Sequence, residues 1–443
     1  MKQTHFDYIV LGGGISGLAI SLELQSRGEE VSLIEKSDKA GGVLQSIYND
    51  DCYWDRAAHT LAVDLELLTF FQRFNIEDLL VEPSTVAKNR QIVVNDEIHN
   101  ISNHPGKILT AKFLSSGAKV NLLKELFKKP VKIPNPTVRE FFEYHFGKEI
   151  TENIISAVFS GIYSGDIEKM EMKAVMGNIF QMEQESGSLI RGLMKQKDKT
   201  QKRKIYGIKG GMEHMNRTLS AQLSNLELGN EVLEIRKVDD VFYLRTAKGE
   251  RTCKQLISCL PAYNLSNIIF KSHQELSVNL DEIQYNPMIL IHVAFDQSSV
   301  AEELNAFGFL CSQYESPVLK GAIYNSSLFP SRANGNLVSY TIFMKPKAKW
   351  LDNKERLDRE VDKVLGQFQK LTKINGAPIH KEMTIWKQGI PQFNKPYESL
   401  KFQLIKQAES IPGFTLSGSY ISGVSVPDCI KYNLRLASQL VKK

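Results

Sequence analysis

The feature that most constrains the fold is a glycine-rich turn between an apolar strand and an amphipathic helix near the start of the chain. Residues 6–11 (FDYIVL) are typical of a short buried strand, and the turn 12–17 (GGGISG) follows at once. The next residues give a helix pattern with its apolar positions on one face, and a second apolar strand, 31–34, ends at Glu35. This strand–turn–helix–strand order predicts a parallel α/β unit.

Each part of the turn has a chemical task in a dinucleotide site. Gly12 makes the tight turn, Gly14 lets the backbone approach a pyrophosphate, and Gly17 allows close helix–strand packing. The helix N-terminus offers free N–H groups and partial positive charge to phosphates. Glu35 is placed to accept hydrogen bonds from ribose hydroxyls. The pattern predicts a Rossmann-like domain for NAD or FAD, and an acid at position 35 disfavours NADP.

Two further glycine segments favour FAD. Gly41 and Gly42 come just after Glu35, where a glycine doublet would bring backbone near the diphosphate. Far downstream, residues 418–428 (GSYISGVSVPD) precede another helix pattern. The N–H groups of that turn could hold the pyrimidine edge of a flavin, although Pro427 and Asp428 are also good residues for an ordinary helix start.

Composition excludes several classes of protein. The 443 residues are 42% hydrophobic and 24% charged, as in folded globular chains, and the net charge of +5 is too small for a dedicated nucleic-acid binder. The five cysteines form no C-x-x-C pair, which predicts a reducing compartment, and the histidines form no metal-ligand motif, so we expect no metal. The apolar run at residues 8–20 lacks a basic leader and is broken by glycines, and no stretch of eighteen apolar residues exists, so we expect neither a signal peptide nor a spanning helix.

The glycine blocks and three internal motifs resemble one family. The blocks 12–19, 35–42 and 418–430 look like those of the flavin-containing protoporphyrinogen/coproporphyrinogen oxidases, within the wider amine-oxidase-like flavoproteins. The segments 88–90 (KNR), 159–166 (FSGIYSGD) and 183–192 (EQESGSLIRG) resemble internal motifs of that family and occur in the same order. One departure is residues 55–59 (DRAAH), where the family usually has Glu-x-Gly-Pro.

The resemblance implies site residues one by one. In the substrate slot it implies Arg90, as partner of a propionate, with Gly161, Gly308, Leu310 and either Ile342 or Phe343. No catalytic side chain is implied, since flavin N5 is the hydride acceptor. The implied FAD-binding residues are Gly12, Gly13, Gly14, Ile15, Ser16, Gly17, Glu35, Lys36, Gly42, Val43, Ala57, Ala58, His59, Thr60, Val232, Ser419, Val424, Ser425 and Val426.

The activity implied is oxygen-dependent oxidation of protoporphyrinogen IX to protoporphyrin IX in heme biosynthesis, with molecular oxygen as electron acceptor. Coproporphyrinogen III is the alternative substrate, because no cation in the sequence separates the two. A non-catalytic tetrapyrrole-binding flavoprotein is an alternative of another class, supported by the altered turn at residues 55–59. Amine oxidases and carotenoid desaturases share only the cofactor blocks.

The order of the motifs predicts interleaved domains. The FAD domain takes 1–85, 205–265 and 410–443, a mixed-sheet substrate domain takes 86–99 and 266–409, and a helical domain takes 100–204. Residues 104–135 hold seven lysines (107, 112, 119, 124, 128, 129 and 132) among apolar residues. This stretch is either an ordinary amphipathic surface or a surface that docks on an anionic membrane. We therefore expect a cytoplasmic protein, peripheral on the inner face of the cell membrane if docking occurs, with homodimer formation as a further expectation.

Overall fold

The computed structural model describes residues 4–102, 108–196, 203–269, 273–302 and 304–441. The strands are β1 His5–Leu11, β2 Val31–Ile34, β3 Ser46–Tyr48, β4 Tyr53–Asp55, β5 Leu61–Val63, β6 Leu80–Val81, β7 Arg90–Val94, β8 Glu97–Ile101, β9 Lys204–Ile208, β10 Leu226–Glu227, β11 Val232–Val238, β12 Val241–Thr246, β13 Gly249–Ser258, β14 Tyr285–Asp296, β15 Gly308–Cys311, β16 Leu319–Tyr324, β17 Leu337–Met344, β18 His380–Pro391 and β19 Phe414–Leu416.

The α-helices are α1 Ile15–Ser26, α2 Leu65–Arg73, α3 Ser116–Lys124, α4 Val138–Phe146, α5 Lys148–Ile150, α6 Ser156–Tyr163, α7 Met172–Ser186, α8 Leu189–Gln196, α9 Met212–Ser220, α10 Ala262–Ser266, α11 Gln274–Asp281, α12 Asn325–Leu328, α13 Lys354–Thr372, α14 Tyr397–Glu409, α15 Ser419–Ser422 and α16 Val426–Leu440. Helix α7 is kinked at Met176, whose backbone is not helical. In the part of the chain so described, no helix combines the length and the apolar character needed to cross a bilayer.

The first sheet contains the predicted glycine-turn strand at its centre. Its order is β10-β2-β1-β13-β12-β11, and β19 pairs with β13 as well. Strand β1 runs parallel to both β2 and β13, and it is buried along most of its length because its side chains pack into two apolar clusters. Helices α1 and α16 pack together in one apolar core with β1 and β2, so the two ends of the chain share a single structural unit.

The second sheet has the order β18-β14-β17-β16-β15-β7-β8. Its β7–β15 pair is parallel and the other pairs are antiparallel, so the sheet is mixed as predicted. Helix α13 covers one face with a stripe of apolar residues at helical spacing (Leu357, Val361, Val364, Leu365 and Phe368). It begins after Asn353, whose side chain accepts from the Arg356 N–H at 2.9 Å.

The helical segment between the sheets is organised by a buried polar network. Thr137 and Glu140 form a capping box at the start of α4. On the same helix His145 lies between Glu125 Oε1 at 3.0 Å and Glu183 Oε1 at 3.1 Å, and all three side chains are fully buried. Glu125 also accepts from the N–H groups of Leu189 and Ile190 at the start of α8. The motif at 183–192 is therefore explained by packing: it joins α4, α7 and α8.

The α/β class is confirmed, and strands from distant parts of the sequence do form the two sheets. Strands β7 and β8 join the second sheet although they precede the helical segment in the chain. The numerical domain boundaries remain predictions, as does membrane docking by the helical segment.

Candidate functional site

The first glycine turn is shaped by contacts that only glycine satisfies. Gly12 has φ +96°, and its N–H donates to the Ile34 carbonyl at 2.9 Å. A Cβ on Gly17 would lie 1.9 Å from the Gly12 oxygen, so this position is closed to any larger residue. Gly14 is different: a Cβ there would meet no protein atom within 4 Å. Two glycines thus shape the turn, while the third leaves open space above the N-terminus of α1.

Glu35 is held beside this turn by backbone donors. Its Oε2 atom accepts from the Gly13 N–H at 2.7 Å, and its Oε1 atom accepts from the Ser37 N–H at 2.8 Å. The Asn230 N–H donates to the Glu35 carbonyl at 2.9 Å, which places Val232, two residues further on, near this edge. The half-buried carboxylate is oriented, and each oxygen keeps a lone pair for a further donor. Lys36 next to it is exposed.

The glycine doublet closes on the first turn. The Gly41 N–H donates to the Gly13 carbonyl at 2.7 Å, and a Cβ on Gly42 would lie 3.2 Å from the Gly14 Cα. Val43 beside the doublet is 46% exposed. The two glycine segments therefore form one cradle of backbone around the open space at Gly14.

The carboxy-terminal glycine turn reaches the same place. Gly12 and Gly418 lie against the same short segment, Cys259–Leu260. A Cβ atom on either glycine would lie 3.1 to 3.5 Å from atoms of these two residues. The Ser422 hydroxyl donates to Cys429 Sγ at 3.4 Å, and Ser16, which belongs to the first turn, is a second hydroxyl that acts on this thiol. Ser425 caps α16 by accepting from the Asp428 N–H at 3.1 Å. Two helix N-termini, those of α1 and α16, therefore converge.

Residues 57–60 connect this cradle to the second sheet. Ala57, Ala58 and Thr60 are half-buried, and the ring of His59 meets Phe343 edge-on at 5.6 Å. Neither ring nitrogen of His59 makes a hydrogen bond of good geometry within the described residues, and Asn325, whose side-chain carbonyl oxygen also lacks one, is the polar side chain beside the ring. Burial, with Arg332 next in effect, lowers the pKa of His59 to about 3, so the ring is neutral.

Strand register separates the predicted substrate residues into two groups. Leu310 is paired with Ile92 and Gly321, and Gly321 with Phe343, so all four lie on one face of the second sheet. Arg90 and Gly308, two residues from Ile92 and Leu310, start on this same face, which we call the slot face. Ile342 lies on the opposite face, fully buried in the core under α13. Of the two alternatives predicted, only Phe343 borders the slot face.

The remaining predicted residues border the slot face from the helical segment and from its edge. Gly161 on α6 packs so closely that a Cβ there would lie 2.4 Å from Leu310 Cδ2. The Arg90 guanidinium stacks over Phe307, with 4.1 Å from its carbon to the ring centroid, and donates to the Ala87 carbonyl. Burial lowers the pKa of Arg90, and Arg90 makes no ion pair with any described carboxylate. Its other donors remain free for an anionic substituent.

The residues present fit an FAD. A dinucleotide with a polar ring system needs three features that are present here. There is open space at Gly14, two helix N-termini converge and that of α1 has first-turn N–H groups that no side chain caps, and a buried neutral imidazole has no hydrogen bond of good geometry. Residues 12–17, 35 and 42–43 would hold the ADP half. Ser419, Val424, Ser425 and Val426, at the second turn, would meet the flavin end.

A family model for flavin-containing amine oxidoreductases matches residues 15–441. The chain belongs to this family. As a flavin-containing amine oxidoreductase it has the predicted cofactor, FAD, and the predicted class of activity, that of an FAD-dependent oxidase.

Individual relatives cover nearly the whole length of this flavin-containing amine oxidoreductase. Protoporphyrinogen oxidase 2 of Arabidopsis thaliana is 25% identical over 98% of this chain and 93% of the relative. Coproporphyrinogen III oxidase of Bacillus subtilis is 25% identical over 95% of each chain. A crystal structure from Exiguobacterium sp., provisionally named a protoporphyrinogen oxidase, superposes with a TM-score of 0.83 at 18% identity over 100% of both chains. The predicted resemblance to these oxidases is confirmed.

Three charged residues at this site were missed by sequence reasoning. Asp55 and Arg332 form a buried ion pair at 2.6 Å between the FAD-binding part and the second sheet. Lys345 directly follows β17, two residues after Phe343, and its Nζ donates to the Ser164 carbonyl at 2.9 Å. Each lies in an ordinary-looking stretch of sequence, and the only available signal was the departure at residues 55–59.

Proposed function

We propose that the protein oxidises a porphyrinogen to the corresponding porphyrin, with protoporphyrinogen IX as the first candidate substrate and molecular oxygen as electron acceptor. The observation that carries the proposal is that residues 57–60 join the glycine cradle to the slot face through the His59–Phe343 contact, while Arg90, which has no ion-pair partner among the described residues, borders that face. The names of the full-length relatives support the substrate class. Coproporphyrinogen III is the second candidate, in line with the relative from Bacillus subtilis.

The overall chemistry balances without a catalytic acid or base from the chain. A bound FAD supplies two-electron oxidation and passes the electrons to oxygen. Six electrons and six protons leave the macrocycle, and three oxygen molecules take them up as three molecules of hydrogen peroxide. The protein then has to bind the macrocycle, orient it and keep water away from it. A slot without acid–base groups suits these tasks.

The described residues meet these tasks in different ways. Arg90 offers free guanidinium donors to a carboxylate substituent and is held in place by Phe307 and Ala87. Leu310 and Phe343 give the slot face an apolar surface for the macrocycle. His59 stays neutral beside Phe343, so it adds no charge that would compete with Arg90 for a carboxylate.

The experiment is anaerobic mixing of the FAD-loaded protein with each porphyrinogen while the flavin absorbance is followed. Bleaching, with recovery of the flavin spectrum and peroxide formation when oxygen is admitted, is the expected result. Tight porphyrin binding without bleaching would instead support the tetrapyrrole-binding flavoprotein, the alternative of another class. If the protein shows neither bleaching nor porphyrin binding, both the oxidase and the tetrapyrrole-binding proposals are rejected.

We also propose that the surface formed by α3 and the turn after it docks on anionic lipid. Phe127 is 84% exposed there, and Val120 and Leu123 are exposed on the same short segment. Exposed lysines occur in the same stretch of chain (112, 124, 129 and 132), and Lys107 of the predicted cluster lies outside the described residues. Apolar side chains that insert and cations that meet lipid headgroups together are typical of peripheral binding. Cytoplasmic location and homodimer formation remain predictions, and size-exclusion chromatography checks the second.

A further inference from the structure

Lys345 extends the slot face towards the helical segment. Lys345 directly follows β17, and its N–H donates to the Val318 carbonyl at 2.8 Å, so the strand pairing continues to it. Two positions after Phe343, it starts on the same face. Its Nζ donates to the Ser164 carbonyl at 2.9 Å. Ser164 ends α6, three residues after Gly161, which packs on Leu310. The ammonium therefore lies where the predicted slot meets the end of α6.

A second lysine comes to the same place through a β-bulge. The register of β16 and β17 shifts between Leu319 and Gly321, so Lys320 is the extra residue in its strand. A bulge re-aims the side chain that it inserts. Lys320 is only 2% exposed, and its Nζ donates to the Ser316 carbonyl at 3.1 Å. Burial, followed by the charge of Lys345, lowers the pKa of Lys320 to about 8.

The two ammonium groups have no carboxylate partner within ion-pair distance among the described residues. Asp166 is the acid whose charge reaches both, but its Oδ1 atom accepts from Gln313 Nε2 at 2.9 Å and from the Glu168 N–H at 3.1 Å. Lys169 adds a further positive charge near Lys345. The cluster therefore carries more positive than negative charge, which is costly in a buried place unless an anion binds.

Unpartnered hydroxyls point to a ligand at the same end of α6. Ser160 and Ser164 are fully buried, and neither Oγ atom has a hydrogen-bond partner among the described residues. A carboxylate accepts from ammonium and hydroxyl donors alike, so one anion would satisfy the lysines and these hydroxyls together.

We propose that Lys320 and Lys345 form a second carboxylate-binding position, at the side of the slot opposite Arg90. This inference rests on the proposed function. In the sheet order, β7 and β17 are three strands apart. The strand pairing puts Arg90 level with Thr341 of β17, so Lys345 lies four residues further along the chain. With ~4.8 Å between strands and ~3.3 Å per residue, the two Cα atoms are roughly 20 Å apart, and both side chains are long enough to reach inwards.

The position selects between the two porphyrinogens. Coproporphyrinogen III carries a propionate on each of its pyrroles, whereas protoporphyrinogen IX carries two propionates on neighbouring pyrroles and vinyl groups on the others. When Arg90 binds one propionate, a propionate on the far side of the ring reaches the two lysines only in coproporphyrinogen. In protoporphyrinogen an apolar vinyl would face unpaired cations. On this inference the slot favours coproporphyrinogen III, the second of the two candidate substrates, over protoporphyrinogen IX, the first.

The test compares steady-state kinetics with both porphyrinogens for Lys345→Met and Lys320→Met. With coproporphyrinogen III, KM should rise roughly 10- to 100-fold, the effect of losing a charge-assisted hydrogen bond. With protoporphyrinogen IX it should change by less than about threefold. Lys345→Arg should restore most of the loss, and Lys349→Met, which removes an exposed lysine four residues later in the chain, should change neither KM.

A binding measurement separates failure of this inference from failure of the proposed function. Fluorescence titration with coproporphyrin III and protoporphyrin IX needs no turnover, and wild-type protein should bind the former more tightly in a manner that depends on Lys345. If wild-type protein binds in that way but bleaches with no porphyrinogen, the proposed oxidation fails and the second position stands. Equal losses for both substrates, or none, would overturn the second position while leaving the oxidation intact.

Discussion

The Arg332 guanidinium donates to Asp55 Oδ2 at 2.6 Å, and the two side chains, 277 residues apart in sequence, are 1% and 0% exposed. The other oxygen of Asp55 accepts from the Ser46 hydroxyl and from the Met212 N–H. Asp55 thus joins the start of α9 in the FAD-binding part to a residue that follows the slot-face strand β16. The turn that departs from the family pattern is a junction between the two parts of the molecule.

Loss of this junction should destabilise the protein strongly. Arg332→Met leaves the Asp55 carboxylate buried without its cation, and we expect the free energy of unfolding to fall by about 3 kcal/mol. Urea unfolding followed by circular dichroism measures it. Arg359→Met, an exposed arginine on α13, should change it by less than about 0.5 kcal/mol. A loss below about 1 kcal/mol for Arg332→Met would show that the pair is not a junction.

Two glycines of the first turn should respond in opposite ways to the same added methyl group. Gly14→Ala places the methyl in open space, so the FAD-free protein should keep its melting temperature while its affinity for FAD falls at least tenfold. Gly17→Ala places it 1.9 Å from the Gly12 oxygen and should destabilise the fold itself. Calorimetric titration with FAD and thermal melting separate the two effects. Gly366→Ala, an open helical position on α13, is the control.

Removal of the Arg90 side chain should weaken substrate binding and leave the FAD site unchanged. Arg90→Ala should raise KM for both porphyrinogens by roughly 10- to 100-fold, since the propionate loses a charge-assisted partner worth about 2 kcal/mol. Lys88→Ala removes an exposed cation two residues earlier and should have no such effect. If kcat/KM of Arg90→Ala equals that of wild type, Arg90 lies outside the substrate site.

Two buried histidines should make the FAD-free protein less stable in acid. Burial lowers the pKa of both His59 and His292 to about 3, whereas the unfolded chain binds these protons near pH 6.5. Unfolding therefore takes up protons below pH 6.5, and stability falls from there towards pH 3, by up to about 2 kcal/mol per histidine at pH 5.

The pH dependence is checked by urea unfolding at pH 7.5 and pH 5. His292→Gln keeps a polar group between Thr341 and Thr384, the two residues that His292 contacts at 3.1 Å, and it should reduce the difference between the two pH values. His214→Gln, on the more exposed helix α9, should leave the difference as in wild type. An unchanged difference for His292→Gln would remove that histidine as a source of it.

The proposed lipid-docking surface should lose binding when its apolar side chains are made polar. The double variant Leu123→Ser and Phe127→Ser should float poorly with vesicles containing phosphatidylserine, and added salt should weaken wild-type binding because the lysines act electrostatically. Phe402→Ser, which removes an exposed phenylalanine near Lys406 on another helix, is the matched control. Wild-type protein that fails to float with anionic vesicles would refute docking.

The sequence by itself determined the local elements. The glycine turn, the strand ending at Glu35, the capping box at Thr137 and the long helix from Lys354 are all recognisable because their interactions join residues close in the chain. The backbone positions at Gly12 and Gly17 follow from the turn itself, and the resemblance to a family then supplied the cofactor and the candidate slot residues.

Only the tertiary structure decided what depends on register and on distant partners. Side chains alternate along a strand, so the pairing of β17 with β16 was needed to place Phe343 on the slot face and Ile342 in the opposite core. The bulge at Lys320 has no signature in the local sequence, and the Asp55–Arg332 pair joins segments whose proximity depends on how the two sheets pack. Hydrophobic periodicity specifies which residues are buried, whereas packing specifies which of the buried charges meet.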